Sequence, residues 1–428
     1  MGNVLIVSAA RTPIGNFGGG LQNTPVAQLG ALVLKATLKK AGLKPVAGDH
    51  QKQFIPDTLK NQGLVDIEKN AFDYEGDFQP VTVDEVIMGN VIGAGQGQNV
   101  ARQAMIQAGI PKETPAYAVN KVCGSGMKAV ALAAQSILVG ENEVVLAGGM
   151  ESMSLIPFAV PSARWGARMG NSELMDLMVM DGLQESFYGY HMGLTAENIA
   201  ARYGITRQAQ DELGAMSHQR ARAAISNGWF KDEIVPVPVP QRKGDPILVD
   251  TDERPMETSV EKMARLPAVF KKDGTVTAGN AAGINDGAAA VLLMSEARAA
   301  ALGVKPLARI RAWSSAALDP AYMGLAPIPA VRKILHAQNL SIGDFGAIEI
   351  NEAFAVQAIA CMRELNCTPD TVNLVGSGIS IGHPIGCTGA RILVTLTNIM
   401  RRQGSELGMA TLCIGGGQGT AMVLENVA

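Results

Sequence analysis

Aromatic residues are scarce in this 428-residue chain, at 4%, and there are only five histidines. Cysteines also number five, an odd count too sparse for a disulfide framework, so a reducing compartment is expected. No stretch approaches the ~18 consecutive apolar residues of a membrane span. Charge of one sign is lacking too: 36 basic and 39 acidic residues leave −3. A general nucleic-acid or anionic-membrane binder would need a basic excess. The run Met1-Gly2-Asn3-Val4-Leu5-Ile6 meets Arg11 and Pro13 too soon for a signal peptide. Its sixth residue is Ile, where myristoylation needs Ser or Thr, and Glu425-Asn426-Val427-Ala428 carries no sorting address. A cytoplasmic protein is the expectation.

What is present is apolar and glycine-rich. Apolar residues make up 47% and charged residues 18%, which excludes wholesale disorder. The 48 glycines point to tight turns and close backbone approaches. Length alone implies about two to three domains.

Strand-like and helix-like stretches alternate from the start: Leu5–Val7, then Val26–Lys40 closed by Gly42, then Val83–Met88. This is α/β patterning, and the order returns near residue 307. Val144–Gly149 matches Thr411–Gly416, and Gly126–Val130 matches Gly389–Leu393. Val119-Asn120 pairs with Val372-Asn373, and Val86–Met88 with Ile348–Ile350. Two halves built on one plan account for the shared order. The second half has 16 residues from Asn373 to Gly389 where the first has 6 from Asn120 to Gly126, and the surplus includes His383. The first half carries an insertion at about Val46–Pro80, with seven acids, three lysines, Phe54, Phe72, Tyr74 and Phe78. Those aromatics imply that the insertion packs on the body. Between the halves, Ser154–Ala282 includes two helix-like stretches, Thr195–Tyr203 closed by Gly204 and Arg207–Ser226 capped by Thr206. Seven of the 20 methionines fall between Met150 and Met192, read as adaptable packing.

Four groups fall at strand ends, where α/β folds place their sites. Cys123 precedes Gly124-Ser125-Gly126 and a helix-like stretch, Met127–Leu138. A helix N-terminus favours the thiolate, the nucleophilic form. His383, fixed in Gly382-His383-Pro384-Ile385-Gly386, is a candidate base for that thiol. Cys413 ends a strand and meets Gly415-Gly416-Gly417, a turn rich in N–H groups that can hold an oxyanion. Asn351, in Asn351-Glu352-Ala353-Phe354, can orient a water or an imidazole. Other motifs fail on spacing. Gly93–Gly97 lacks the dinucleotide pattern, and Gly124–Lys128 lacks that of a P-loop. Cys361 and Cys367 are six apart with no histidine pair, so no metal is expected, and Cys387 reads as packing.

At these residues the sequence resembles the thiolase family. Asn120-Lys121-Val122-Cys123-Gly124-Ser125-Gly126 resembles its acyl-carrying cysteine motif. Asn351–Phe354, Gly382-His383-Pro384 and Cys413–Gly417 resemble its three other active-site motifs, in order. Tyr190-His191-Met192-Gly193 resembles the form found in acetoacetyl-CoA thiolases. The resemblance implies duplicated α/β domains, mixed sheets sandwiched by helices, plus a loop domain. The implied units are residues 1–153 with 283–305, the loop domain 154–282, and 306–428. It also implies an acetyl-CoA C-acetyltransferase that condenses two acetyl-CoA to acetoacetyl-CoA and CoA. In that scheme Cys123 carries the acetyl group, His383 activates it, and Cys413 deprotonates the second acetyl-CoA. His383 with an Asn351-held water forms one oxyanion site, and the N–H groups of Cys123 and Gly415 form the other. His191, Met192, Phe354, Ala282 and Arg254 would contact substrate or CoA. No cofactor is implied, since the thioester supplies the activation; a homo-oligomer, dimer or tetramer, is implied. Two alternatives stand beside it: a degradative 3-ketoacyl-CoA thiolase of broader chain length, and a non-condensing acyl-CoA binding or transfer protein. Met192 would crowd the acyl end, against the first. The intact Cys123, His383 and Cys413 argue against the second. Three positions depart from the family pattern. Ala282 stands where Ser is usual, Val375-Gly376-Ser377-Gly378 replaces an Asn-Gly-Gly pattern, and Arg254 aligns only loosely near the CoA adenine.

Overall fold

The computed structural model describes residues 2–60 and 62–427. Its main strands fall into two sets that repeat one plan. The first set is β1 (Val4–Arg11), β2 (Glu85–Gly89), β3 (Ala116–Val119), β4 (Val144–Ser152) and β5 (Asn285–Ser295). The second is β6 (Ala308–Ala317), β7 (Ala347–Ile350), β8 (Leu407–Ile414) and β9 (Gln418–Glu425). In the first, β1 pairs antiparallel with β5, β5 antiparallel with β4, and β4 and β3 each run parallel to β2. In the second, β6, β9, β8 and β7 repeat those directions in that order. Val372 bridges Ile348 in parallel at the place where β3 flanks β2 in the first half. The matched segments Val86–Met88 and Ile348–Ile350 therefore occupy equivalent strands.

The two half-sheets, read from sequence as separate, are joined. Leu5 pairs with Arg309 and Ile6 with Ala308, so one ladder runs β7-β8-β9-β6-β1-β5-β4-β2-β3. The physical reason is that β1 and β6 are the inner edges of their halves, and their free backbone groups satisfy each other.

The principal helices are α1 (Val26–Lys40), α2 (Val100–Gln107), α3 (Ser125–Leu138), α4 (Met192–Tyr203), α5 (Arg207–Ser226), α6 (Pro327–Gln338), α7 (Ala355–Leu365) and α8 (Ile385–Gln403). Alternate residues of each strand face opposite cores. Leu146, Ala290 and Leu292 pack with α1 and α2, whereas Val145, Ala147, Ala289 and Val291 pack with α3 and α8. On the second half, Met409 and Val423 face α6 and α7, and Leu412 and Met422 face α3 and α8. The layers thus run helix, sheet, helix, sheet, helix, with α3 and α8 in the middle. Fifteen of the 19 residues of α8 are buried, as a helix held between two sheets requires. Glycines set the spacing there. A Cβ on Gly126 would lie 2.7 Å from the backbone N of Ala390, and one on Gly389 would strike the backbone of Met127.

The insertion closes at its base through parallel pairing of Leu43–Pro45 with Gln79–Val81. Its four aromatics do not share one role. Tyr74 is buried and its hydroxyl donates to the Ala108 carbonyl at 2.9 Å, but Phe54 is 83% exposed and Phe72 sits at the rim. The methionine cluster divides likewise: Met150, Met153 and Met192 are buried, and Met169 is 98% exposed. The helix expected from Thr195 begins at Met192, because His191 caps it by accepting the Gly193 N–H on Nδ1 at 3.0 Å. Histidine is not among the usual capping residues, so sequence gave no such signal. The middle segment is fastened to the sheet by ions. Arg11, at the end of β1, is fully buried, donates to both carboxylate oxygens of Asp252 at 2.6 and 2.9 Å, and to Glu233 at 2.6 Å.

Candidate active site

Cys123 lies one residue beyond Val122, whose φ of 47° puts a β-branched residue in left-handed backbone. Such a residue costs about 1–3 kcal/mol and must be held by its surroundings. Here Val122 N–H donates to Asn120 Oδ1 at 2.8 Å, Lys121 N–H to Ser125 Oγ at 2.8 Å, and Ser125 Oγ–H to the Val122 carbonyl at 2.6 Å. The turn presents the half-buried Cys123 to the cavity ahead of α3. The thiolate expected from the helix terminus is not the resting state. Burial pushes the Cys123 thiol up to about 11; the N–H groups of Gly415 and of Cys123 itself pull it down, and they do not prevail. Cys413, fully buried at the end of β8, is held well above its ordinary value by burial and by the neighbouring Cys123.

His383 sits in the surplus loop of the second half. Its backbone N–H donates to Asn285 Oδ1 at 3.0 Å, which ties the loop to the start of β5. Nδ1 lies 2.7 Å from Thr388 Oγ1, and that hydroxyl donates to the Pro384 carbonyl at 2.9 Å. A hydroxyl with its single proton spent can only accept, so the imidazole proton is assigned to Nδ1. Nε2 is left as a buried lone pair with no partner among the described residues. Burial, then Arg391, pushes His383 down to about 3, so the ring is neutral. A neutral imidazole with a free Nε2 is a base.

The glycine turn after Cys413 runs through Gly416 and Gly417 at φ 78° and 76°. A Cβ on Gly415 would come within 2.7 Å of Met192, so glycine lets the methionine close over the turn. Asn351 follows the last residue of β7 and is fully buried, with neither side-chain amide atom partnered among the described residues. It is not among the residues that line the cavity, so it meets a bound group only through a water. The next residue, Glu352, was not singled out from sequence. It fixes this turn, accepting from Ser217 Oγ at 2.6 Å and Asn373 Nδ2 at 2.9 Å.

One cavity of about 410 Å³ gathers Cys123, His383, Cys413 and Gly415 with His191, Met192, Phe354, Ala282 and Arg254. It is within the usual size of a ligand site and is mostly apolar. His191 stacks on Phe270 at 4.5 Å between ring centroids, and Phe270 meets Phe354 edge-on at 6.4 Å. Burial lowers the His191 pKa, and its Nδ1 already accepts, so Nε2 bears its proton. Phe270 and Met323 were missed in the sequence. Each lies in a segment without a recognisable motif, and only the fold brings it to the wall.

Arg254 is placed differently from its expected use near an adenine. Its guanidinium donates to the carbonyls of Ile379 at 2.6 Å, Ala281 at 3.1 Å and Ala278 at 3.5 Å. It clamps loops together through Nε and Nη2, while the guanidinium still borders the cavity. Ala282 lines the cavity and offers no hydroxyl; its backbone N–H donates to the Ala353 carbonyl at 2.9 Å. Among the described residues, no cluster of His, Cys, Asp and Glu could hold a metal ion, and no helix is long and apolar enough to cross a membrane. All five cysteines are free.

Comparison with known proteins gives two family matches. The thiolase N-terminal domain matches residues 4–52 and 59–297, and the thiolase C-terminal domain matches 304–426. The unmatched residues 53–58 include Phe54, in the insertion. The chain is 50% identical to an acetyl-CoA acetyltransferase of Chromobacterium violaceum, covering 99% of both chains. It is also 50% identical to one of Syntrophomonas wolfei, covering 99% of this chain and 98% of that one. The crystal structure of the Bacillus anthracis acetyl-CoA acetyltransferase superposes with a TM-score of 0.89 at 41% identity, covering 100% of this chain and 99% of that one.

Proposed function

We propose that this chain, which belongs to the thiolase family, is an acetyl-CoA C-acetyltransferase, making acetoacetyl-CoA and CoA from two acetyl-CoA. The observation that carries the reading is the convergence of two thiols, a free imidazole Nε2 and the Gly415 turn on one apolar cavity.

The steps follow from the protonation states. His383 Nε2 takes the Cys123 proton as sulfur attacks the acetyl carbonyl. The N–H groups of Cys123 and Gly415 hold the tetrahedral oxyanion, and donors preset in a dry site are worth most there. CoA departs with the Cys413 proton, leaving a thiolate. A thiolate buried in apolar surroundings is a strong base, and it removes a proton from the methyl group of the second acetyl-CoA. The enolate oxygen is held by protonated His383 and a water on Asn351. The carbanion attacks the acetyl-Cys123 carbonyl, releases acetoacetyl-CoA, and the Cys123 sulfur recovers its proton from His383. Reversal is thiolysis. This sequence calls on no cofactor.

The stack of His191, Phe270 and Phe354, with Met192, supports a short acyl group. The domain units remain those implied by the resemblance: 1–153 with 283–305, the loop domain 154–282, and 306–428. A homo-oligomer, dimer or tetramer, located in the cytoplasm, belongs to the same reading. The test is CoA-dependent thiolysis of acetoacetyl-CoA beside a long-chain 3-ketoacyl-CoA. Marked preference for acetoacetyl-CoA is expected. Equal or better use of the long chain would move the protein to the degradative class.

A further inference from the structure

Glu151 takes no part in the steps above, yet it lies among the groups that do. Its side chain leaves β4 on the same face as Val145 and Ala147, toward the layer of α3 and α8. It is fully buried, and its hydrogen-bond partners among the described residues are all uncharged N–H donors. Its carboxylate accepts from Asn90 Nδ2 at 2.9 Å, Val91 N–H at 3.0 Å, Ile92 N–H at 3.2 Å and Gly386 N–H at 2.9 Å. The first three belong to the loop after β2. The fourth lies in the first turn of α8, three residues beyond His383, where a negative charge also suits the helix dipole. Gly386 is needed for that approach: a Cβ there would lie 2.5 Å from Glu151 Oε2 and 2.8 Å from the Met150 carbonyl. The same loops meet Cys123, which packs on the cluster formed by Val91, Ile92 and Ile385.

We propose that Glu151 is a positioning residue for condensation: one carboxylate ties the arm carrying His383 to the floor beneath Cys123, fixing Nε2 against the thiol. All four partners donate, so an isosteric amide would turn its NH₂ toward an N–H and open the junction. The inference rests on the thiolase reading.

The test compares the parent with Glu151→Gln and Glu151→Asp. The readouts are acetoacetyl-CoA thiolysis, acetylation of Cys123 by acetyl-CoA followed by intact mass, and iodoacetamide alkylation of Cys123 against pH. The groups facing Cys123 in these assays are His383, Cys413 and Glu151. For Glu151→Gln, kcat should fall about 100-fold, the loss typical of a 1 Å misplacement, with KM changed less than about threefold. Burial raises Glu151 itself to about 7, so the profile is followed from about pH 8 upward, where Glu151 is ionised. There alkylation should move the other way, to lower pH, because a negative charge that raises the thiol pKa is gone. Slower chemistry with a more acidic thiol is not what general loosening produces. Glu151→Asp keeps the charge, so it should recover part of kcat and leave the alkylation profile in place. If Glu151→Gln does not fold, the Asp variant decides. Activity within twofold of the parent for Gln, or no alkylation shift, or Asp no better than Gln or with its own profile shifted, overturns the inference. A parent that fails to acetylate Cys123 overturns the thiolase reading and the inference with it, whereas the outcomes above leave that reading standing.

Discussion

Replacing Gly126 with alanine should damage the active site from inside the protein, out of reach of substrate. The new Cβ would lie 2.7 Å from the Ala390 nitrogen, 3.0 Å from the Gly386 carbonyl and 3.1 Å from that of Cys387. Ordinary contact begins at 3.4 Å, so the shortfall is about 0.7 Å, and every neighbour is backbone. The helix α3 must therefore move off α8. Cys123 lies just before the first of these helices and His383 just before the second, so the displacement opens the distance between them. In an open helix, Gly→Ala stabilises by about 0.5–1 kcal/mol. Here overpacking should reverse the sign, for a net loss of about 1–3 kcal/mol. An error near 1 Å between reacting groups costs about 100-fold in rate. Thermal unfolding and steady-state thiolysis, run beside Gly343→Ala, check both numbers. A Cβ on Gly343 meets only Ser341 Oγ at 3.8 Å, so that control should be neutral. A Gly126→Ala protein as stable and as active as the control would refute the packing argument.

Arg11→Met should destabilise by about 3–5 kcal/mol, because it strands Asp252 and Glu233 in the core; denaturant unfolding of parent and variant measures it. His383 titrates near 3 when folded and near 6.5 when unfolded, so its contribution is whole above pH 6.5 and fades as pH falls toward 3. The stability advantage of the parent over His383→Asn should therefore shrink by about 1.4 kcal/mol per pH unit below 6.5, read from urea unfolding at pH 7.5 and 5. The assigned roles predict that Cys123→Ala abolishes acetyl-enzyme formation, while Cys413→Ala, without the proton that CoA takes away, acetylates slowly and does not condense. Intact mass beside a condensation assay separates the two. Phe270→Ala should open the aromatic wall and raise kcat/KM for longer 3-ketoacyl-CoA relative to acetoacetyl-CoA; an unchanged ratio removes Phe270 from chain-length control.

The duplicated plan was legible in the sequence because strand and helix periods repeat at matching offsets, and the equivalence of β2 and β7 followed from Val86–Met88 and Ile348–Ile350. Glycines and strand ends flagged Cys123, His383 and Cys413, which do line the cavity, whereas Asn351, flagged the same way, lies behind its wall. The joining of β1 to β6 was not, since two ladder pairs leave no pattern in either strand. Nor was the protonation of Cys123. A helix terminus is visible in sequence, but the burial that outweighs it depends on residues far apart in the chain, such as Ile92, Met153 and Ile385. Arg254 illustrates the same limit: its type allows a phosphate or three carbonyls, and only the packed loops choose. Phe54 shows the converse, an aromatic that composition assigned to packing and that solvent keeps.

The place of β5 bears on synthesis. It lies between β1 and β4, yet it emerges from the ribosome nearly 300 residues after β1 begins. At roughly 5–20 residues per second, Val4–Arg11 waits about 15 to 60 seconds with both edges open, since β6 comes later still. Every residue of that strand is buried in the finished protein. The nascent chain thus carries a sticky apolar ribbon through most of its own translation, and its yield in cells will track the chaperones that shield that ribbon rather than the stability of the finished fold.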